Sequence, residues 1–418
     1  MQIRSEWDTL REVMVHRPEV EIEYAMLAPR PFLFERVFNT RIALEEHHRL
    51  EDTLKSLGVR CLVLKDTVVE TADRDRAFRE KLERRILDSV RFFGSVQSVE
   101  AAKRELERNV HEMDSSTLFR ILTLEPSIDL KKDNGSVVEY PTVYSNLPLA
   151  NLYFMRDQQA VSQAGIIFGN MRKRQRAKEA DITEFVFREA LGLRNTFRVG
   201  GEGTFEGGDF MPAGDFALIG TGPRTNLQGA MQAMSSGLMD FDEVAVVDNP
   251  VYDFMDRERD QMANMHLDTF FNIAGKGLAV ASVELMKKAR VSVYSKSQRG
   301  RYERMADTTL YNYIRQNGYD ILDLSVGEQL CYASNFLTVS DRKIVAVDTQ
   351  GVARKLMGAG VLGDQVLSIL RKELDGRRMF PDSQAVRDFG IDVVKLDLSE
   401  LTGGYGGAHC MTAALARS

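Results

Sequence analysis

The sequence predicts an α/β protein. Short β-branched apolar runs alternate with amphipathic helical stretches, and a helix–glycine–strand order occurs three times. The β signal drops out only between about residues 72 and 135. Val13-Met14-Val15 follows Leu10-Arg11-Glu12 and stops before Pro18, so it reads as a first strand. Ile42 to Leu57 then places Leu50, Leu54 and Leu57 on one helical face. Gly58 ends that helix, and Val59 to Leu64 follows as a strand. The same order returns at Asn317–Leu324 and at Phe389–Leu396. Three such modules at irregular spacing fit a repeated α/β architecture, and equally an ordinary α/β protein. In the segment from 72 to 135, Phe78, Leu82, Ile86 and Val90 recur every four residues among charged ones. That spacing predicts an all-helical insertion whose charged faces are solvated.

The chain has 418 residues, enough to bury a large core as one domain or two. A net charge of -6 gives no polyanion-binding signature, and nucleic acid is not expected as a partner. The first residues carry no signal-peptide core, and nowhere do eighteen apolar residues run together, so no membrane span is expected. Three widely separated cysteines, Cys61, Cys331 and Cys410, suit a reducing compartment, so a cytoplasmic, soluble protein is expected. The same spacing offers no structural zinc pattern, so the sequence gives a metal no support.

Four polar clusters stand out. Asn151 to Asp157 reads as an apolar strand ending in Arg-Asp, although a strand-ending aspartate ordinarily caps a turn. Phe205-Glu206-Gly207-Gly208-Asp209 sets two carboxylates astride two glycines, either a tight turn or a close approach to a ligand. In Met265-His266-Leu267-Asp268-Thr269, a strand would turn His266 and Asp268 to one face, as a general acid/base pair or a metal site. Lastly, Gly403 to Thr412 crowds four glycines before a thiol, Cys410. His409 beside it would face away in an extended chain, which makes it a poor base for Cys410.

These clusters hold one thiol, one imidazole and at least three carboxylates. Grouped carboxylates suit a planar guanidinium, which they can bind bidentately. A thiolate facing that guanidinium can attack its central carbon, and the cation would help stabilise the thiolate. The set therefore serves nucleophilic substitution at a guanidino carbon.

The four clusters together resemble the arginine deiminase family of guanidine-modifying enzymes. Asn151 to Asp157 is similar to P-N-x-x-F-T-R-D, and Phe205 to Asp209 to L-E-G-G-D. Met265 to Thr269 is similar to M-H-L-D-T, and Gly406 to Thr412 to G-G-G-H-C-M-T. The order matches, and the helical segment also fits that family. The resemblance implies a five-bladed α/β propeller with pseudo-fivefold symmetry, built from ββαβ modules, within one catalytic domain spanning 1–418. It implies that Cys410 is the nucleophile, that Asp157 and Asp268 grip the guanidinium, that His266 moves protons and that Glu206 supports His266. Asn151 is expected to bind substrate, with Arg176 and Arg224 meeting an α-carboxylate. A solvated basic face remains the plain alternative for the cluster around Arg176. The implied reaction is hydrolysis of L-arginine to L-citrulline and ammonia without a cofactor, by a homo-oligomer. Hydrolysis of another guanidino compound, continuation to ornithine, or an inactive arginine-binding protein are the rival readings.

Two departures stand out. Many family members carry an arginine five residues before the cysteine; here Tyr405 stands there, and its hydroxyl donates one hydrogen bond but cannot pair by charge. The F-T-R-D of the family is Phe154-Met155-Arg156-Asp157.

Overall fold

A computed structural model describes residues 3–132, 139–145, 147–256, 262–298, 300–376 and 378–418. Five sheets share one pairing pattern, which the sixth sheet below also has: a middle strand has an antiparallel partner on one side and a parallel partner on the other. In the first, Leu10–Val15 lies antiparallel to Ala413–Arg417 and parallel to Arg60–Val63, so the two ends of the chain meet in one sheet. The second joins Gln159–Val161, Ile166–Phe168 and Thr196–Arg198. In the third, Phe210–Pro212, Phe216–Thr221 and Glu243–Asp248 repeat the pattern, extended by Arg290–Lys296 and Tyr302–Thr309. The fourth and fifth are Phe271–Gly275, Leu278–Ala281, Asp320–Asp323 and Leu337–Ser340, Lys343–Val347, Asp392–Leu396.

A parallel partner requires a crossover, and helices supply it. Thr40–Ser56 makes the crossover in the first sheet. Its N-cap Asn39 accepts from the Ile42 amide, and Leu50 and Leu54 are fully buried. Gly58, Gly318 and Gly390, which end three of these helices, have φ of +80°, +82° and +65°. That left-handed conformation is costly for a residue with a Cβ, which is why glycine punctuates the repeat.

The segment expected to be all-helical contains Arg76–Ser89, Val96–Asn109 and Ser115–Leu124, but also strands. Arg91–Phe93 and Pro126–Lys132 pair in parallel, and Glu139–Ser145 completes a sixth sheet. Arg91-Phe92-Phe93 is too short to register as a strand by period; pairing with a distant strand and packing of Phe92 against the core hold it. The expected end of this insertion, at 133–135, lies outside the described residues. Among the described residues, no helix is long and apolar enough to cross a membrane.

Candidate active site

The five sheets deliver functional side chains from one recurring position. Asp157, Glu206, Asp268, Asn335 and Cys410 each fall just before the first strand of an antiparallel pair, at 159, 210, 271, 337 and 413. The local backbone there is turn or 3₁₀, so two sequence expectations change. Asn151–Asp157 is a run of turns and not a strand. Its unbroken apolar character reflects burial on every side, with Leu152, Tyr153, Phe154 and Met155 all in the core. His266 and Asp268 lie at the start of a 3₁₀ turn, Leu267–Thr269, and do not share a strand face. The turn sends the imidazole to Glu206 and the aspartate to the cysteine loop.

Cys410 is 3% exposed. Asn335 organises it: its Oδ1 accepts from the Gly407 amide at 2.7 Å and the Cys410 amide at 3.1 Å, while its Nδ2 lies 3.1 Å from Sγ. Asp268 Oδ2 accepts from the thiol at 3.4 Å and contacts His409 Nδ1 at 2.8 Å. The glycines permit this packing. A Cβ on Gly406 would come within 2.9 Å of the Cys410 Cβ, and one on Gly407 within 2.7 Å of the Asn335 carbonyl. Burial, then the charges of Asp268 and Asp157, push the thiol well above its ordinary pKa. In the free protein it is therefore a neutral thiol at neutral pH. Its alkylation rate should still climb above pH 9; a plateau near neutral pH would contradict this environment.

His266 Nε2 lies 2.9 Å from Glu206 Oε2, and Nδ1 lies 3.6 Å from Asp157 Oδ1. Burial alone would lower its pKa. Asp157, Glu206 and Asp209 more than offset that, raising it to about 9. The imidazole is thus positively charged at neutral pH and able to give a proton. Gly208 makes the approach possible, since a Cβ there would sit 2.7 Å from Nδ1 and 2.9 Å from Asp157 Oδ1. Asp209, the second carboxylate of this cluster, accepts instead from the Leu267 amide and Asn249 at 2.9 Å each. It anchors the turn that carries His266.

Arg176 is buried, unlike its exposed neighbours Arg172 and Arg174, so the basic cluster is not simply a solvated face. Its Nη1 donates to Asp157 Oδ2 at 2.6 Å, while Nε and Nη2 bind Glu179 Oε2 at 2.9 and 2.8 Å. Nη2 also reaches the Asn151 carbonyl at 3.4 Å. The Asn151 side chain donates to the Phe32 carbonyl at 2.8 Å. Arg224 is 1% exposed, and its Nη2 meets the sulfurs of Met262 and Met265 at 3.1 and 3.6 Å. Its Nε and Nη1 are buried with no hydrogen-bond partner, and so are Asp157 Oδ1 and Asp268 Oδ1. Cys410, Asp157, His266, Arg176, Arg224 and Tyr405 line one narrow cavity.

Asp157, Glu206 and His266 each place a ligand-type atom within 4.8 Å of the others. Those atoms face one another and Arg176, whose Nη1 is 2.6 Å from Asp157 and 3.9 Å from Glu206. A guanidinium already supplies the positive charge that such a trio requires.

Asn335 and Glu6 escaped the sequence reading, and Arg156 appeared there only as part of a motif. Asn335 looks like a loop asparagine; the signal for it is its place just before a strand pair, where the other four units carry polar site residues. Arg156 ties the cysteine loop from behind, its amide donating to the Cys410 carbonyl at 3.0 Å. Glu6 pairs with Arg156, Arg417 and His409 at 3.4, 2.8 and 3.7 Å. Asn335→Ala should strand two loop amides and remove the donor to sulfur. It should cost about 1–3 kcal/mol of stability and slow alkylation of Cys410 at fixed pH. Denaturant titration and alkylation kinetics check both; no change in either would remove Asn335 from this role.

A family profile described as arginine deiminase matches residues 30–417. The arginine deiminase of Halobacterium salinarum is 25% identical over all of this chain and 97% of its own length. That of Limosilactobacillus reuteri is 25% identical over all of this chain and 98% of its own. Among solved structures, an amidinotransferase of saxitoxin biosynthesis from Microseira wollei superposes with TM-score 0.54 at 13% identity, over all of this chain and 97% of its own. The N-terminal domain of a cyanobacterial arginine dihydrolase gives 0.52 at 12% identity, over 97% and 98%. At such identities these two speak for the fold alone, a mixed α/β architecture of small sheets. The profile covers nearly the whole sequence, and on that ground the chain belongs to the arginine deiminase family, hydrolases acting on C–N bonds of linear amidines.

Proposed function

We propose that the protein hydrolyses L-arginine to L-citrulline and ammonia through a covalent amidino-thioether on Cys410. One observation carries this reading. A buried thiol lines one cavity with Asp157 and Arg224 and lies against Asp268, and one carboxylate oxygen of each aspartate and two Arg224 donors have no hydrogen-bond partner. That set complements a guanidinium at one end of a ligand and a carboxylate at the other.

Binding a guanidinium beside Asp157 and Asp268 offsets the negative charge that holds the thiol neutral. The thiol then gives up its proton to solvent with substrate in place, leaving the thiolate. Its sulfur bonds to the guanidino carbon, a terminal C–N bond breaks, and protonated His266 gives the departing nitrogen its proton. Neutral His266 next takes a proton from water, whose oxygen bonds to the same carbon as the C–S bond breaks. The ureido product leaves and the thiol is restored. Glu206 holds the imidazole through both transfers. In this reading the five repeated sheets are the blades of one propeller, residues 1–418 form one catalytic domain, and the enzyme acts as a homo-oligomer in the cytoplasm.

A product assay on purified protein tests the reading: citrulline and ammonia should appear in equal amounts from arginine. Ornithine, or no product, would refute it. If Arg224 holds the carboxylate, agmatine should be worse than arginine by at least about tenfold, because a charge-assisted hydrogen bond is worth about 1.5–3 kcal/mol. Arg224→Ala should narrow that gap. Agmatine turned over as well as arginine would remove the carboxylate from recognition.

A further inference from the structure

A second, larger recess of about 250 Å³ adjoins the catalytic cavity, and Met262 and Tyr405 line both. Its walls are mostly apolar, including Met255, Leu330, Leu356, Leu362 and Val366. Among the described residues, its lining holds one carboxylate, Glu35, and no lysine or arginine. The Glu35 amide donates to the Gly403 carbonyl at 2.7 Å, which fixes it to the cysteine loop. Its carboxylate takes a single long hydrogen bond, 3.4 Å, from the Tyr332 hydroxyl. Among the described residues, Glu35 forms no ion pair. Arg36 pairs with Glu400 at 3.9 Å and with the Ser399 carbonyl, and Arg30, beside Tyr405, is exposed. Burial lifts the Glu35 carboxyl to about 7, against the pull of Arg36 and Tyr332, so an arriving cation would ionise it fully.

A lone carboxylate in an apolar recess selects a cation on an apolar body. We propose that this recess is the distal subsite of the catalytic cavity. Glu35 receives the α-ammonium of the substrate there, and the apolar wall accepts a hydrocarbon substituent on that same nitrogen. The substrate class therefore includes arginines alkylated on the α-nitrogen, which keep the positive charge at that atom and the carboxylate facing Arg224. Tyr405 divides the two spaces without adding charge to either. This inference rests on the hydrolase reading above, since it concerns the far end of the same ligand.

The test compares L-arginine, Nα-benzyl-L-arginine and Nα-benzoyl-L-arginine as substrates of the full chain, with ammonia release as readout. The benzyl compound keeps a charged nitrogen and the benzoyl compound does not, at nearly equal size. The benzyl compound should be turned over with kcat/KM within about tenfold of arginine. The benzoyl compound should lie at least about tenfold below the benzyl one. Glu35→Gln should erase the benzyl-to-benzoyl ratio, a quantity independent of how much of the variant is folded. Leu362→Gln should depress the benzyl compound more than arginine. Equal turnover of the two compounds by the natural protein, or an unchanged ratio in Glu35→Gln, overturns the subsite while arginine turnover leaves the hydrolase reading intact. Ammonia from none of the three sinks both.

Discussion

Cys410→Ser should lose turnover by about 10⁴-fold or more, in line with removal of a nucleophile from enzymes that form covalent intermediates. A serine hydroxyl titrates far higher than a thiol, and no base lies beside it: His409 is engaged by Asp268 and Glu6, and His266 by Glu206 and Asp157. The fold should persist, because Asn335 binds the residue's backbone amide as well as its sulfur. Alanine at Cys61 or Cys331 should leave turnover intact. Neither thiol lines the catalytic cavity, and Cys331 is fully buried. Steady-state assays and circular dichroism of the three variants decide this. Appreciable activity in Cys410→Ser would mean that another group attacks.

Asp268→Asn should reduce kcat/KM by about 10²-fold or more. Losing one partner of a buried charge pair costs about 3–5 kcal/mol, and an amide of equal shape restores none of the charge. The same change should act oppositely on the free thiol. Asp268 raises the Cys410 pKa through its charge and its hydrogen bond, so removing that charge should lower the midpoint of alkylation. A slower enzyme with a more reactive thiol is the signature of a carboxylate that serves the bound cation. A purely structural role would lower both rates together. Near-normal kinetics would take Asp268 out of the clamp.

How much of this could be read in advance depended on whether the signal was local. The helix–glycine–strand modules were legible because Gly58, Gly318 and Gly390 each occupy a left-handed position that the chain marks with a specific residue. Cys410, His266 and Asp268 stood out because reactive groups are conspicuous among glycines and apolar residues. The strand assigned to Asn151–Asp157 was not real, since burial on all sides erases the period that separates a turn from a strand. The sixth sheet was invisible because Arg91–Phe93 is held by partners more than thirty residues away. Asn335 and Glu35 were hidden for a related reason. Asparagine and glutamate are ordinary loop residues, and only the juxtaposition of distant segments shows what they face.

Rapid acid quench with arginine labelled at the guanidino carbon tests the central claim most directly. During turnover, label should appear on the peptide that contains Cys410, on neither peptide containing Cys61 or Cys331, and should decay as labelled citrulline forms. Citrulline accumulating at its full rate while no label is ever found on the Cys410 peptide would contradict the covalent account.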